Sequence, residues 1–238
     1  MRDVDGIRLG RLRLVAGAAL LDLGCARGDR ARRLADAGLC VHGLEPEPAL
    51  ARICARALEG ATIRGQVTVG DGEHLPYRDG SFAAVCATEV LEHVADPRIV
   101  LDETRRVLRR SGGACIAVPT WWSERLFARL HPYWRQDSGH VRVFRQRELF
   151  ALLGRCGFEI EHHEQRNCEW SGFWLVHALL RTRFDSTGQP LGRAWLSRLL
   201  LLPWRVLDRL HLGDVCRRIG NRFCAKSLYV YVRRVDDA

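Results

Sequence analysis

Three stretches of the chain combine residue types and spacings that suit chemistry. The first is LLDLGCARGDRARRLADAG, residues 20–38, in which Asp22 falls inside an apolar run, glycines follow at 24 and 28, and a helical pattern opens at Asp29. A loop of this kind presents free backbone N–H groups to a ligand at the start of a helix. A dinucleotide loop needs G-x-G-x-x-G, but the corresponding positions are Gly24, Ala26 and Asp29, so two glycines are missing. The spacing acid-x-G-x-G-x-G reads Asp22, Gly24, Ala26 and Gly28, with alanine standing for the middle glycine. The second stretch, ATEVLEHVADP (87–97), holds Thr88, Glu89, Glu92 and His93. An imidazole there suits general-base work, since it titrates near neutral pH, although His93 equally suits a loop cap. The third stretch, PTWWSERLFARLHPYWRQDSGHVRVF (119–144), carries Trp121, Trp122, His131, Tyr133, Trp134 and His140. Its aromatics suit enclosing an apolar or sugar-like molecule, with His140 or Arg142 orienting a polar group; packing onto the sheet is the competing use. His93 and His140 are the candidate catalytic residues, and the GHVRVF context favours His140 over His131.

The elements that position these residues follow from periodicity. Apolar runs at 19–24, 40–46, 66–71, 82–88 and 113–119 read as strands. Residues 29–38, 47–59 and 96–110 read as helices; Gly38 closes the first, Asp96 and Pro97 open the third, and Gly112 ends it. Alternation of β and α units with apolar strands predicts a parallel sheet covered by helices, and such sheets bind ligands at the carboxyl ends of their strands.

With these motifs in order, the chain resembles the class I S-adenosylmethionine-dependent methyltransferases, small-molecule branch, like those of quinone and natural-product biosynthesis. Besides the loop at 22–28, the resemblance rests on GLEP (43–46), GDGEHLPYRDGSF (70–82), ATEVLEHVADP and RRVLRRSGG (105–113). It covers residues 18–119, continues weakly through 139–160, and returns at SLYVYV (227–232). It implies an α/β, Rossmann-like fold: a seven-stranded, mostly parallel sheet with helices on both faces and a helical insertion before the last strand. It implies S-adenosylmethionine as cofactor, held by Asp22, Gly24, Ala26, Gly28, Glu45, Pro46, Asp71, Gly72, Glu73 and Thr88. Glu45 would accept from the ribose hydroxyls and Asp71 from the adenine amino group, with Gly72 and Glu73 along the ring edge. Ala26 departs from the pattern, as does Ala83 where relatives carry aspartate. The implied reaction is methyl transfer to a small or lipid-linked acceptor, foremost at oxygen. Carbon methylation of quinone type and a non-catalytic binding or scaffold role are the alternatives, the latter supported by Ala26. Glu89, Glu92 and His93 fit a spacing linked to a divalent metal in some ubiquinone-pathway O-methyltransferases, but relatives without metal share it; no metal is expected. The N/D-P-P-Y/F motif of nucleobase methylation is absent, and no RNA-binding module is evident, so nucleic acid is not an expected partner.

Composition sets the remaining bounds. The chain has 238 residues, 47% of them apolar, enough for a full core. Residues 1–120 carry 17 basic and 16 acidic groups, whereas 121–238 carry 20 and 12, which points to an anionic partner for the second half. Nine scattered cysteines with no C-x-x-C pair read as reduced thiols. No apolar run is long enough to span a membrane, and the opening residues do not read as a signal peptide, which predicts a cytoplasmic protein, with membrane association left open. The domain reading is a core of 1–165 and 227–238, an acceptor-pocket segment at 120–140, and an insertion at 166–226. Within that insertion, 194–212 is Leu- and Trp-rich and carries Arg193, Arg198, Arg205 and Arg209 on or beside it. A peripheral membrane contact, a lid, a dimer contact and ordinary packing all fit it. The oligomeric state and the acceptor are not legible.

Overall fold

The computed structural model describes residues 3–61, 63, 65–180, 202–209 and 212–235. Seven strands form one sheet: β1 (Ala19–Leu23), β2 (Cys40–Glu45), β3 (Val67–Val69), β4 (Phe82–Thr88), β5 (Leu108–Pro119), β6 (Phe158–Arg166) and β7 (Ser227–Arg234). Their order is β3-β2-β1-β4-β5-β7-β6. The pairs β1–β2, β2–β3, β1–β4 and β4–β5 are parallel. β1 sits among buried neighbours, which is why it reads as a nearly unbroken apolar run. Leu20, Leu21 and Leu23 are buried in it, and Asp22 is the one polar exception, flanked by Gly43 on β2 and Cys86 on β4. The chain leaves β1 towards β2 on one side and later returns to β4 on the other. That reversal falls between β1 and β4, and ligands of such sheets bind at the carboxyl ends of the strands at this switch point.

The helices that follow the first strands are α1 (Asp29–Asp36), α2 (Pro48–Leu58) and α3 (Pro97–Val107). Glu47 caps α2 by accepting from the Ala49 N–H, and Asp96 caps α3 by accepting from the Arg98 N–H. The sequence pattern carried the third helix to residue 110 and began the next strand at 113. In the structure α3 stops at Val107, and Leu108 already lies in β5 opposite Phe82. Burial of Leu108 against that strand outweighs the helical tendency of Arg109 and Arg110, both exposed. The extra residues form a bulge with Ser111 at φ 55° before Gly113 pairs with Ala84. Gly112 therefore lies inside a strand and ends no helix.

Two compact units divide the chain. The first comprises Met1–Val118, Arg147–His163 and Tyr229–Ala238; the second comprises Pro119–Gln146 and Glu164–Leu228. The first contains α6 (Gln146–Arg155) almost whole, and its opening residues are tied to the last strand. The Tyr231 hydroxyl accepts from the Arg8 N–H at 2.8 Å, and the Tyr229 hydroxyl donates to the Asp5 carbonyl at 3.0 Å. The second unit contains α4 (Trp121–Leu130), α5 (Trp134–Ser138), α7 (Cys168–Leu179), α8 (Leu202–Arg209) and α9 (Gly213–Cys224). Phe127, Trp134 and Ala178 form its buried centre. Residues 120–140 group with the insertion in the second unit. The reason is aromatic packing: the Trp134 ring lies 5.0 Å from Phe127 and 5.8 Å from Trp174. Of the 194–212 segment, residues 194–201, 210 and 211 lie outside the described residues, as do Arg193 and the side chain of Arg205. Among the described residues no helix is long and apolar enough to cross a membrane.

Candidate active site

The glycine loop is built for close approach. Gly24 and Gly28 have φ of 69° and 86°. A Cβ at Gly28 would come within 2.8 Å of the Cys54 Cα on α2, so only glycine fits where the loop turns into α1. Ala26 takes φ 47°, a left-handed conformation that costs an alanine about 1–2 kcal/mol. Its N–H donates to Glu45 Oε2 at 2.9 Å, while Glu45 Oε1 accepts from the Glu47 N–H at 3.2 Å. Each carboxylate oxygen of Glu45 therefore keeps a lone pair for another donor. The side chain, 6% exposed at the end of β2, is held in one orientation beside the loop. These features fit a bound nucleoside: paired acceptors for vicinal hydroxyls, and a backbone cradle next to them. Replacing Ala26 with glycine removes both the strain and the methyl group. The expected result is several-fold tighter S-adenosylmethionine binding by calorimetry, with a thermal midpoint close to wild type.

Beneath the loop lies an ion pair that the sequence reading missed. Asp22 is fully buried, and the Arg30 guanidinium reaches its Oδ1 at 2.7–2.8 Å through Nη2 and Nε. Arg30 also donates to the Thr88 hydroxyl and to the Gly24 carbonyl, the latter at 3.2 Å. One side chain from α1 thus ties together the ends of β1 and β4 and the first glycine of the loop. Burial raises the Asp22 carboxyl above its usual range, and Arg30 pulls it back towards the ionised form. For Arg30 burial acts downward, but Asp22 more than offsets it and keeps the guanidinium charged. The signal was present in the helix pattern: Arg30 stands one turn before buried Leu34, so a charge occupies an apolar face near a buried acid.

The loop after β3 carries the other expected cofactor residues. Asp71 is exposed, and its Oδ1 accepts from the N–H groups of Glu73 and His74, both at 2.9 Å. Gly72 is buried, and a Cβ there would meet Val100 at 3.3 Å. Arg106 on α3 holds the far side of the loop. It donates to the carbonyls of Tyr77 at 2.7 Å and Leu75 at 2.9 Å, and its Nε meets Glu103 Oε1 at 2.6 Å. Glu103 in turn accepts from the Leu75 N–H at 2.7 Å, and Arg106 holds its carboxyl below the usual range. Sequence reasoning named neither residue. Pro46 is exposed beside Glu45, and Thr88 is buried at the end of β4. After Thr88, Glu89 turns at φ 58° and His93 is exposed, its backbone N–H closing a turn onto the Val90 carbonyl at 2.9 Å.

In the second unit, His140 is positioned by a group the sequence reading did not single out. Glu124, 2% exposed on α4, places Oε2 2.8 Å from His140 Nδ1 and accepts from Trp134 Nε1 at 3.2 Å. A neutral imidazole donating through Nδ1 leaves Nε2 as a base. His131 is packed away: it is 2% exposed, its Nδ1 accepts from the Tyr133 N–H, and its Nε2 lies 3.1 Å from Asp137. The aromatics split by role. Trp134 is core, whereas the Trp121 ring faces the guanidinium groups of Arg125 at 4.7 Å and Arg145 at 5.0 Å. Tyr133 remains exposed.

The strand order, the glycine loop and the acid at the end of β2 define a class I methyltransferase fold. Residues 21–116 match the family of methyltransferase domains. A malonyl-[acyl-carrier protein] O-methyltransferase of Geobacter sulfurreducens is 32% identical over 176 residues, covering 63% of this chain and 62% of that one. The 27-O-demethylrifamycin SV methyltransferase of Amycolatopsis mediterranei is 39% identical over 163 residues, 65% of this chain and 59% of that one. The chain spans 35%, 62% and 58% of the first three curated relatives it matches. Among solved structures, the [4+2]-cyclase SpnF aligns with a TM-score of 0.64 at 19% identity, over 96% of this chain and 79% of that one. The fold is therefore shared with a protein named for a different reaction.

Proposed function

We propose that the chain transfers a methyl group from S-adenosylmethionine to a hydroxyl of a small or lipid-linked acceptor. When bound, the donor supplies an electrophilic methyl on a sulfonium. The protein's part is to align the acceptor oxygen about 3 Å from that methyl and to take its proton. In this reading Glu45 and Asp71 grip the two ends of the adenosine, the loop from Gly24 to Gly28 shapes the space beside it, and Thr88 fixes the floor through Arg30. His140, paired with Glu124 in the second unit, is the first candidate to receive the hydroxyl proton, and His93, which follows β4 in the unit that holds the donor residues, is the second.

The observation that carries the oxygen reading is the 2.8 Å approach of His140 Nδ1 to the buried Glu124 carboxylate. Two relatives named for O-methylation support it. The test uses radiolabelled donor with a panel of apolar hydroxylated acceptors, and variants His140→Asn, Glu124→Gln and His93→Asn. Loss of one general base lowers kcat by about 10²–10⁴-fold. His140→Asn is expected to fall in that range with donor affinity unchanged, Glu124→Gln to fall less, and His93→Asn to stay near wild type. Full activity in His140→Asn would remove the proposed base. Carbon methylation is the second reading, and it would show as label retained on a carbon skeleton lacking any free hydroxyl. A scaffold without turnover would bind the donor and transfer nothing.

A further inference from the structure

Helix α9 turns an apolar stripe outward. Leu212, Val215, Ile219 and Phe223 fall on one side of the helix at i, i+3, i+7 and i+11, and they are 50%, 53%, 59% and 78% exposed. The opposite side carries the packing: Gly213 is buried against Asp208, and a Cβ at Gly220 would meet the Cys168 sulfur at 2.7 Å. Asn221 accepts from the Cys168 N–H at 2.9 Å. Among the described residues the helix is therefore docked by one face and exposed on the other. Arg218 and Arg222 stand exposed along one border of the stripe, whereas Arg217, on the docked side, is taken up by Asp208 and Asp214. Among the described residues neither Arg218 nor Arg222 has an ion-pair partner.

We infer that this stripe rests on a membrane leaflet carrying anionic headgroups, with Val215, Ile219 and Phe223 entering the acyl boundary and Arg218 and Arg222 at headgroup level. An apolar face bordered by arginines on an in-plane helix has the geometry and charge for that surface. A second copy of the chain fits less well, because antiparallel pairing of two such faces would bring the arginine rows towards each other. Sequence patterning left a membrane contact open, among other uses, at 194–212; the observed stripe begins where that segment ends. This inference concerns the second unit alone and does not depend on methyl transfer.

Flotation of the full chain with vesicles of phosphatidylcholine, with and without phosphatidylglycerol, tests it. The wild type is expected to float with the phosphatidylglycerol vesicles and to be released by high salt. The triple variant Val215→Ser, Ile219→Ser and Phe223→Ser, on a docked helix's exposed side, should stay folded by circular dichroism and stay at the bottom. Arg218→Gln with Arg222→Gln should reduce partitioning about fivefold per arginine. A wild type that does not float overturns the inference. In that event a concentration-dependent dimer lost in the triple variant would assign the stripe to a second copy. Flotation unchanged in the triple variant also overturns it. Donor binding, measured in the same samples, fails separately if the methyltransferase reading is wrong.

Discussion

Replacing Arg30 with leucine is expected to destabilise the protein by about 3–5 kcal/mol in urea unfolding at neutral pH, because it leaves a buried carboxylate with no counter-charge. Asp22 is fully buried in the central strand, and Arg30 is the cation that reaches it. The double variant Asp22→Asn with Arg30→Leu should recover most of that loss, since it removes both charges and keeps the volume near that of the pair. The pH dependence has a definite sign. Without Arg30, burial and then the charge of Asp5 both act upward on Asp22, so its folded-state pKa lies above the unfolded value. A carboxyl shifted in that direction costs stability when ionised and stops costing it as pH falls and the proton binds. The deficit of the Arg30→Leu variant should therefore narrow as pH falls from neutral, whereas the double variant, with no carboxyl at position 22, loses that dependence. A single variant as stable as wild type at neutral pH would mean that the pair holds no energetic place in the core. Donor affinity should also fall in the single variant, because Thr88 and the Gly24 carbonyl lose their common tether.

The second large effect is on binding. Glu45→Ala is expected to weaken S-adenosylmethionine by about a hundredfold or more in calorimetric titration. Hydrogen bonds to a charged group contribute about 1.5–3 kcal/mol each, and two ribose hydroxyls would lose their acceptor. Part of the loss is indirect, since the same carboxylate holds the N–H groups of Ala26 and Glu47 in place. Glu45→Gln separates the contributions: it keeps one acceptor oxygen and should fall between wild type and alanine. Wild-type affinity in a folded Glu45→Ala protein would place the adenosine elsewhere and remove the basis of the proposed reaction.

Much of the sheet could be read from local pattern. The run FAAVCAT became β4 over the same residues, 82–88, the strand at 40–45 fell within a residue of its apolar run, and the run at 227–232 extends by two residues in β7. Buried parallel strands announce themselves because both faces must be apolar, and Gly, Pro and Asp mark their ends. The candidate donor residues were legible for the same reason: Asp22, Glu45, Asp71 and Thr88 lie in or just beyond the carboxyl ends of β1, β2, β3 and β4. The third helix was overrun by three residues because helix propensity continues through Arg109 and Arg110, and only the pairing of Leu108 with Phe82 ends it.

By itself, then, the sequence determined the strand-and-helix alternation, the glycine loop and the acids after each strand, since these depend on neighbours a few residues apart. Tertiary structure alone decided which polar groups are partners. Arg30 meets Thr88 across 58 positions, Leu75 meets Glu103 across 28, and His140 meets Glu124 across 16. It also decided that Trp134 packs in the centre of the second unit and that Phe223 faces outward. Such pairings follow from where the elements come to rest, and a buried charge takes whichever counter-charge the packing brings within reach.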